Sequence, residues 1–243
     1  MTRDRSPLRY LGHQARDVAR GPLALFVVVS AGLAFILWRV FGAREAPDPA
    51  DLLGGLVAGT LLVAVLIAAG GVAGNDIKQG YYRAWFSKPI APWWFYLQRW
   101  LLGGVAVLTI PLWLGTGLAL AFGAGTGISA ALVGNVALGY LLIGGAVLLA
   151  STVSARDWLV VFLVYFFQRR LEEVQQMLDG LGQDVPWAVD ALVRVLPPFH
   201  LVTPGAALPE GGELVRLLGY GLGMVALAVV VLRSRPLGSG GRA

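Results

Sequence analysis

Six strongly apolar stretches, near residues 22–41, 52–73, 93–122, 128–150, 157–171 and 214–232, punctuate this chain. Each comes close to the roughly 20 apolar residues that a bilayer core demands. Hydrocarbon offers no partner for backbone N–H and C=O groups, so stretches of this length must satisfy them within their own helices. The expected fold is therefore all-α: a polytopic membrane protein of six transmembrane helices forming one domain over residues 1–243. Composition agrees, with 57% hydrophobic and only 14% charged residues and a mean hydropathy of +0.71. A soluble domain would carry roughly 25% charged residues. The fifth stretch is the weakest. Its apolar core, Trp158 to Phe167, is short and is followed at once by Gln168-Arg169-Arg170. It is either a span completed by Leu171 and Val174 or a segment that enters the membrane and returns.

Orientation follows from charge. With six spans both termini share one side, and on that side fall thirteen basic residues against four acidic ones. The opposite side carries six basic and ten acidic residues. The positive-inside rule then places both termini in the cytoplasm of a cell membrane. The first apolar run lies behind a basic segment and lacks a small-x-small cleavage site, so it reads as a true span and not as a cleaved signal. Several of the 33 glycines recur four apart, as in Gly55/Gly59, Gly70/Gly74 and Gly219/Gly223. That spacing lets helices approach closely, although glycine is also more common in membrane helices generally.

Three further segments are neither span nor plain connector. In the first, residues 1–21, Ser6-Pro7 forms an N-cap and first-turn pair. Leu8, Leu11, Ala15 and Val18 then recur at helical spacing, with Arg9, His13, Arg16 and Arg20 on another face. This describes a helix lying in the membrane interface, or a basic flank that only sets topology. Gly21-Pro22 is expected to break it from the first span. The second segment, 75–92, places Ile77, Tyr81, Ala84 and Trp85 on one helical stripe beside Lys78, Gln79 and Arg83. Asn75 or Asp76 can cap it, Pro89 closes it, and Pro92 can start the third span. A short cytoplasmic helix with an aromatic face suits insertion into a groove on a soluble partner. An aromatic belt at the lipid surface is the alternative. The third, the outer segment 171–213, reads as two half-apolar helices, Leu171 to Leu181 and Trp187 to Leu196, in re-entrant or interface-lying positions. They are separated by Gly182-Gln183-Asp184-Val185-Pro186 and ended by Pro197-Pro198-Phe199-His200.

Together these features resemble the integral-membrane subunits of ABC transporters of the ABC-2 type. The run from Asp76 through Gly80 and Pro89 to Pro92 is similar to that family's coupling segment, with one acidic residue, Asp76, where a glutamate pair is common. Ser151 to Asp157 is similar to its short inner turn. The resemblance implies an N-terminal elbow helix, a coupling helix between spans two and three, and re-entrant outer helices. It implies a permease that pairs with a second permease copy, as a homodimer, and docks a cytoplasmic ABC ATPase. The docking residues it implies are Asp76, Lys78, Gly80, Tyr81, Arg83, Trp85, Phe86 and Pro89.

Enzyme chemistry has little footing in the chain. There is no G-x-x-x-x-G-K-[ST] sequence and only two lysines, Lys78 and Lys88, so ATP and magnesium would belong to the partner subunit and this chain needs no cofactor of its own. The absence of cysteine removes disulfides and thiolate chemistry. His13 and His200 stand isolated in sequence, and no metal site or catalytic residue is expected. No nucleic-acid partner is expected, because the basic residues read as topology determinants. Ionisable residues at membrane depth are almost lacking, which disfavours ion-coupled transport. The expected function is the permease subunit of an ATP-driven exporter. The alternative is a non-transporting structural or accessory subunit of a larger membrane complex.

Overall fold

In the computed structural model, the described residues are 10–41, 48–74, 76, 91–122, 125–181, 185–202 and 207–234. Helices are built from nearly all of them, and no strand occurs among them. Among the described residues, five helices are long and apolar enough to cross a membrane: Leu11–Val40, Ala50–Ala69, Trp93–Phe122, Ala130–Ser151 and Gly211–Ser234.

The first of these joins α1 (Leu11–Val18) to α2 (Ala24–Phe41) through a π-helical turn, Ala19–Leu23. This corrects the expected break at Gly21-Pro22. Pro22 has no N–H to give, and the wider turn absorbs that loss while helical backbone continues on both sides. Ser6-Pro7 lies outside the described residues.

Helix α3 (Pro49–Ala69) begins on Asp48, whose carboxylate accepts the Ala50 amide at 2.8 Å with Pro49 in the first turn. Leu53, Val57, Leu61, Val65 and Ala69 recur on one face and are buried. That face packs on α4 (Pro92–Leu108) and α5 (Ile110–Phe122). Pro92 starts α4, as expected. The α4–α5 junction at Thr109 falls just before Pro111, which cannot donate to the carbonyl four residues back. Helix α5 packs along α2.

Ser129 caps α6 (Ala130–Gly139) by accepting the Leu132 amide at 3.0 Å. A second π turn, Tyr140–Gly144, leads into α7 (Gly145–Ser151). It turns Tyr140 onto Trp100 of α4, with ring centroids 5.1 Å apart, and the Tyr140 hydroxyl donates to the Trp100 carbonyl.

The fifth sequence stretch behaves differently. Residues 157–171 are the first part of one continuous 24-residue helix, α8 (Asp157–Gly180). Its Arg169, Arg170, Glu172 and Glu173 keep it out of the set apolar enough to span. The amphipathic stretch from Leu171 is thus a continuation of that helix and not a separate outer element. The second outer helix is present as α9 (Trp187–Val195), followed by a 3-10 turn, Phe199–Leu201. Val193 and Phe199 pack inward, whereas Trp187 (84% exposed) and Leu192 face outward. The last helix, α10 (Gly211–Ser234), packs on α7 and the second π turn.

Of the three expected glycine pairs, Gly70/Gly74 lies in a close contact, with the turn before α8, and the other two do not. Gly55, Gly59, Gly219 and Gly223 have nothing near them. The close approach is made instead by Gly145 on α7, where a Cβ would stand 3.0 Å from the Gly221 carbonyl of α10.

Candidate functional site

Of the eight residues singled out in the segment between the second and third apolar helices, Asp76 is described. Lys78, Gly80, Tyr81, Arg83, Trp85, Phe86 and Pro89 lie outside the described residues. The structure does define how the chain enters this segment. Helix α3 stops at Gly70, whose backbone turns extended (ψ 145°) while its amide still donates to the Leu66 carbonyl at 2.9 Å. Gly71 then takes φ +66°, a left-handed value that suits glycine because it carries no Cβ.

The chain thereby lies against the turn between α7 and α8. The Gly71 amide donates to Asp157 Oδ2 at 2.8 Å, and the Trp158 amide donates to Oδ1 of the same carboxylate at 2.8 Å. Asp157 is fully buried. At Gly74 the backbones nearly touch: a Cβ there would stand 2.5 Å from the Ser154 carbonyl oxygen. The Ser151 and Thr152 hydroxyls donate back to the Leu148 and Leu149 carbonyls at 2.7 Å, closing the end of α7 on itself. The short turn 151–157, noted in the sequence only for its residue types, is therefore the seat on which residues 70–74 rest.

Asp76 sits beside α4. Burial pushes its carboxyl above the ordinary aspartate value, opposed by the Arg99 guanidinium and by a hydrogen bond with the Tyr96 side chain. The carboxylate thus engages the first turns of the third apolar helix.

A second polar cluster lies midway along α8. Gln168 is fully buried; its Oε1 accepts the Phe199 amide at 3.2 Å, and its Nε2 donates to Glu172 Oε1. His200 Nδ1 meets the same Glu172 oxygen and lies 3.3 Å from Gln168 Nε2. His200, isolated in sequence, is therefore not isolated in space. Burial raises the Glu172 carboxyl to about 7, opposed by Arg169 and Arg216. Burial and then Arg216 lower the His200 pKa, opposed by Glu213. Near neutrality this favours a neutral imidazole beside a carboxyl that exchanges its proton.

A cavity of about 190 Å³ opens beside the cluster, with the tilted rings of Tyr165 and Phe199, centroids 5.4 Å apart, on its wall. Arg216 and Tyr220 of α10 donate to the Val193 and Arg194 carbonyls, satisfying the end of α9. The only sequence signal for this cluster was the four-residue spacing of Gln168 and Glu172 on one helix face. Its partner His200 is 32 residues away from Gln168 and could not be paired by spacing. Among the described residues no group of three potential metal ligands assembles here or elsewhere.

No protein-family model, no curated protein and no solved structure matches this chain.

Proposed function

We propose that this chain is the membrane-embedded permease subunit of an ATP-driven exporter of the ABC-2 type, working as a homodimer with a separate cytoplasmic ATPase. The observation that carries the reading is the junction at Asp157. One buried carboxylate holds the Gly71 amide at the end of α3 and the Trp158 amide at the start of α8. A force applied to the segment that follows Asp76 reaches α3 and α8 together, and through Asp76 it also reaches α4. Three helices moving as a set is what a coupling segment requires, since the partner's ATP-driven closure must be converted into helix displacement. In this reading α1 and its π turn are the elbow, and α8 and α9 are the outer elements that shape the exit. Substrate would pass between the two permease copies.

The test is direct. Aromatic anchors in a docking groove often contribute roughly 2 kcal/mol or more. Tyr81→Ala combined with Trp85→Ala should leave the protein folded in the membrane and release the ATPase on affinity purification. Retention of the ATPase at wild-type stoichiometry, with unimpaired ATPase stimulation, would count decisively against the coupling role and favour an accessory subunit of a larger complex.

A further inference from the structure

A second polar cavity, of about 200 Å³, lies between α1, the end of α3 and the start of α4. Its polar lining is Tyr10, then His13, Gln14 and Asp17 from α1, Asp76, and Arg99 from α4, over an apolar floor that includes Ile67 and Phe95. Gln14 is the unusual member. It is 5% exposed, and its Nε2 donates to the Phe95 carbonyl at 3.1 Å, which anchors α1 to α4. Its Oε1 has no hydrogen-bond partner. Flipping the amide does not help, because Oε1 would then oppose the Phe95 carbonyl, acceptor against acceptor. A buried acceptor left unmatched is costly, and this one belongs to a side chain that lines a cavity.

The lining sets the chemistry of an occupant. Gln14 Oε1 and the carboxylates of Asp17 and Asp76 supply three acceptor groups to one cavity, and a primary ammonium has three N–H donors. Arg99 supplies a cation suited to phosphate. The floor is apolar, and the cavity lies where the amphipathic N-terminal helix meets the ends of two apolar helices. Its volume suits a headgroup better than a drug-sized molecule.

We propose that this cavity binds an ammonium–phosphate headgroup of the phosphoethanolamine type, with the ammonium on Gln14, Asp17 and Asp76 and the phosphate on Arg99. The site does not depend on the export reading. It would fasten α1 to α3 and α4 through a ligand as well as through the Gln14–Phe95 hydrogen bond.

The full chain, purified in detergent, would be offered equal amounts of phosphatidylethanolamine and phosphatidylcholine with identical acyl chains and its adducts weighed by native mass spectrometry. The choline headgroup has no N–H to give. The expected result is a preference for the ethanolamine lipid of roughly tenfold, the scale of a lost hydrogen bond to a charged group. Asp17→Asn and Gln14→Met should each bring the two lipids towards parity. Asp17 is exposed on its helix, so its variant decides the matter if Gln14→Met fails to fold. Soluble phosphoethanolamine, added in a thermal-shift measurement, separates the two sources of the headgroup. Stabilisation equal to that given by the lipid would assign the site to a soluble ligand, and a much smaller effect would assign it to the lipid. Equal retention of both lipids by the wild-type chain, without stabilisation by phosphoethanolamine, would overturn the proposal. So would an undiminished preference in the Asp17 variant.

Discussion

At the scale of single residues, Asp157 is a buried group held from two sides. Its two carboxylate oxygens each accept a backbone amide, one of them 86 positions away in sequence. Asp157→Ala would leave the Gly71 amide unmatched in a part-buried site, a cost of about 1–3 kcal/mol. The expected outcome is a lower thermal midpoint for the purified protein. Asp157→Asn, which keeps an acceptor oxygen, should lose less than Asp157→Ala. Equal stability of wild type and the alanine variant would mean that the junction is not held by this carboxylate. Gly145 permits a different comparison. A Cβ there meets the Gly221 backbone, which cannot rotate away. Gly145→Val should therefore destabilise by about 1–3 kcal/mol through overpacking. Gly219→Val, facing open space in the single chain, should be tolerated unless a second copy packs there. Thermal unfolding of the two variants side by side separates these cases.

Among the helices, the tie between α8 and the Phe199–Leu201 turn is the one whose strength depends on pH. The Glu172 carboxyl titrates near 7 in the folded chain against an ordinary value of 4.5. A carboxyl with a raised pKa holds its proton more tightly folded than unfolded. Its effect on stability is absent below about 4.5 and becomes an increasing loss as pH rises to about 7. His200 acts oppositely: its lowered pKa makes the folded chain lose stability as pH falls below the ordinary histidine value of 6.5. Glu172→Gln should remove the first slope and keep the second, so its thermal midpoint should decline less than wild type between pH 5 and pH 8. An unchanged pH profile would show that Glu172 does not titrate in this range.

How much of this could be read in advance depends on the range of the interaction. Apolar run length located all five membrane-length helices, and Pro92 was legible as a start because its ring fits a first turn. The π turns at Ala19–Leu23 and Tyr140–Gly144 left no comparable mark. The first replaces a break that Gly21-Pro22 had implied, because neighbouring helical backbone can accommodate one missing donor. The continuity of α8 was hidden by a change of hydropathy within a single helix. The Asp157 and His200 partnerships were hidden by distance along the chain. The spacing of small residues was only partly informative: Gly74 does meet the Ser154 backbone, whereas Gly55/Gly59 and Gly219/Gly223 face open space and α7 meets α10 through Gly145 and Gly221.

For the whole molecule, the disposition of the ends is the leading question. The charge division over six crossings predicts that a reporter active only in the cytoplasm gives signal when fused to Ala243 and none when inserted after Gly211. The opposite pattern would overturn this topology. Two of the membrane-length helices, Leu11–Val40 and Trp93–Phe122, contain 30 residues each. At about 1.5 Å per residue the helical path of each rod, through the π turn of the first and the Thr109 junction of the second, is about 45 Å, against a hydrocarbon core of about 30 Å. A tilt of 40°, the upper end of what is commonly seen, still leaves several residues of each rod beyond the core. Gln14 bonds to Phe95, so both rods begin side by side and their excess length is shared at one end. On the first of them the excess is α1, whose His13, Arg16 and Asp17 suit the headgroup layer, so any apolar overhang that the bilayer must cover belongs to the second. The chain should accordingly be sensitive to membrane thickness, with a higher thermal midpoint in bilayers of longer acyl chains than in short-chain ones. Insensitivity to acyl length would mean that the overhang of the second is shielded by protein and not by lipid.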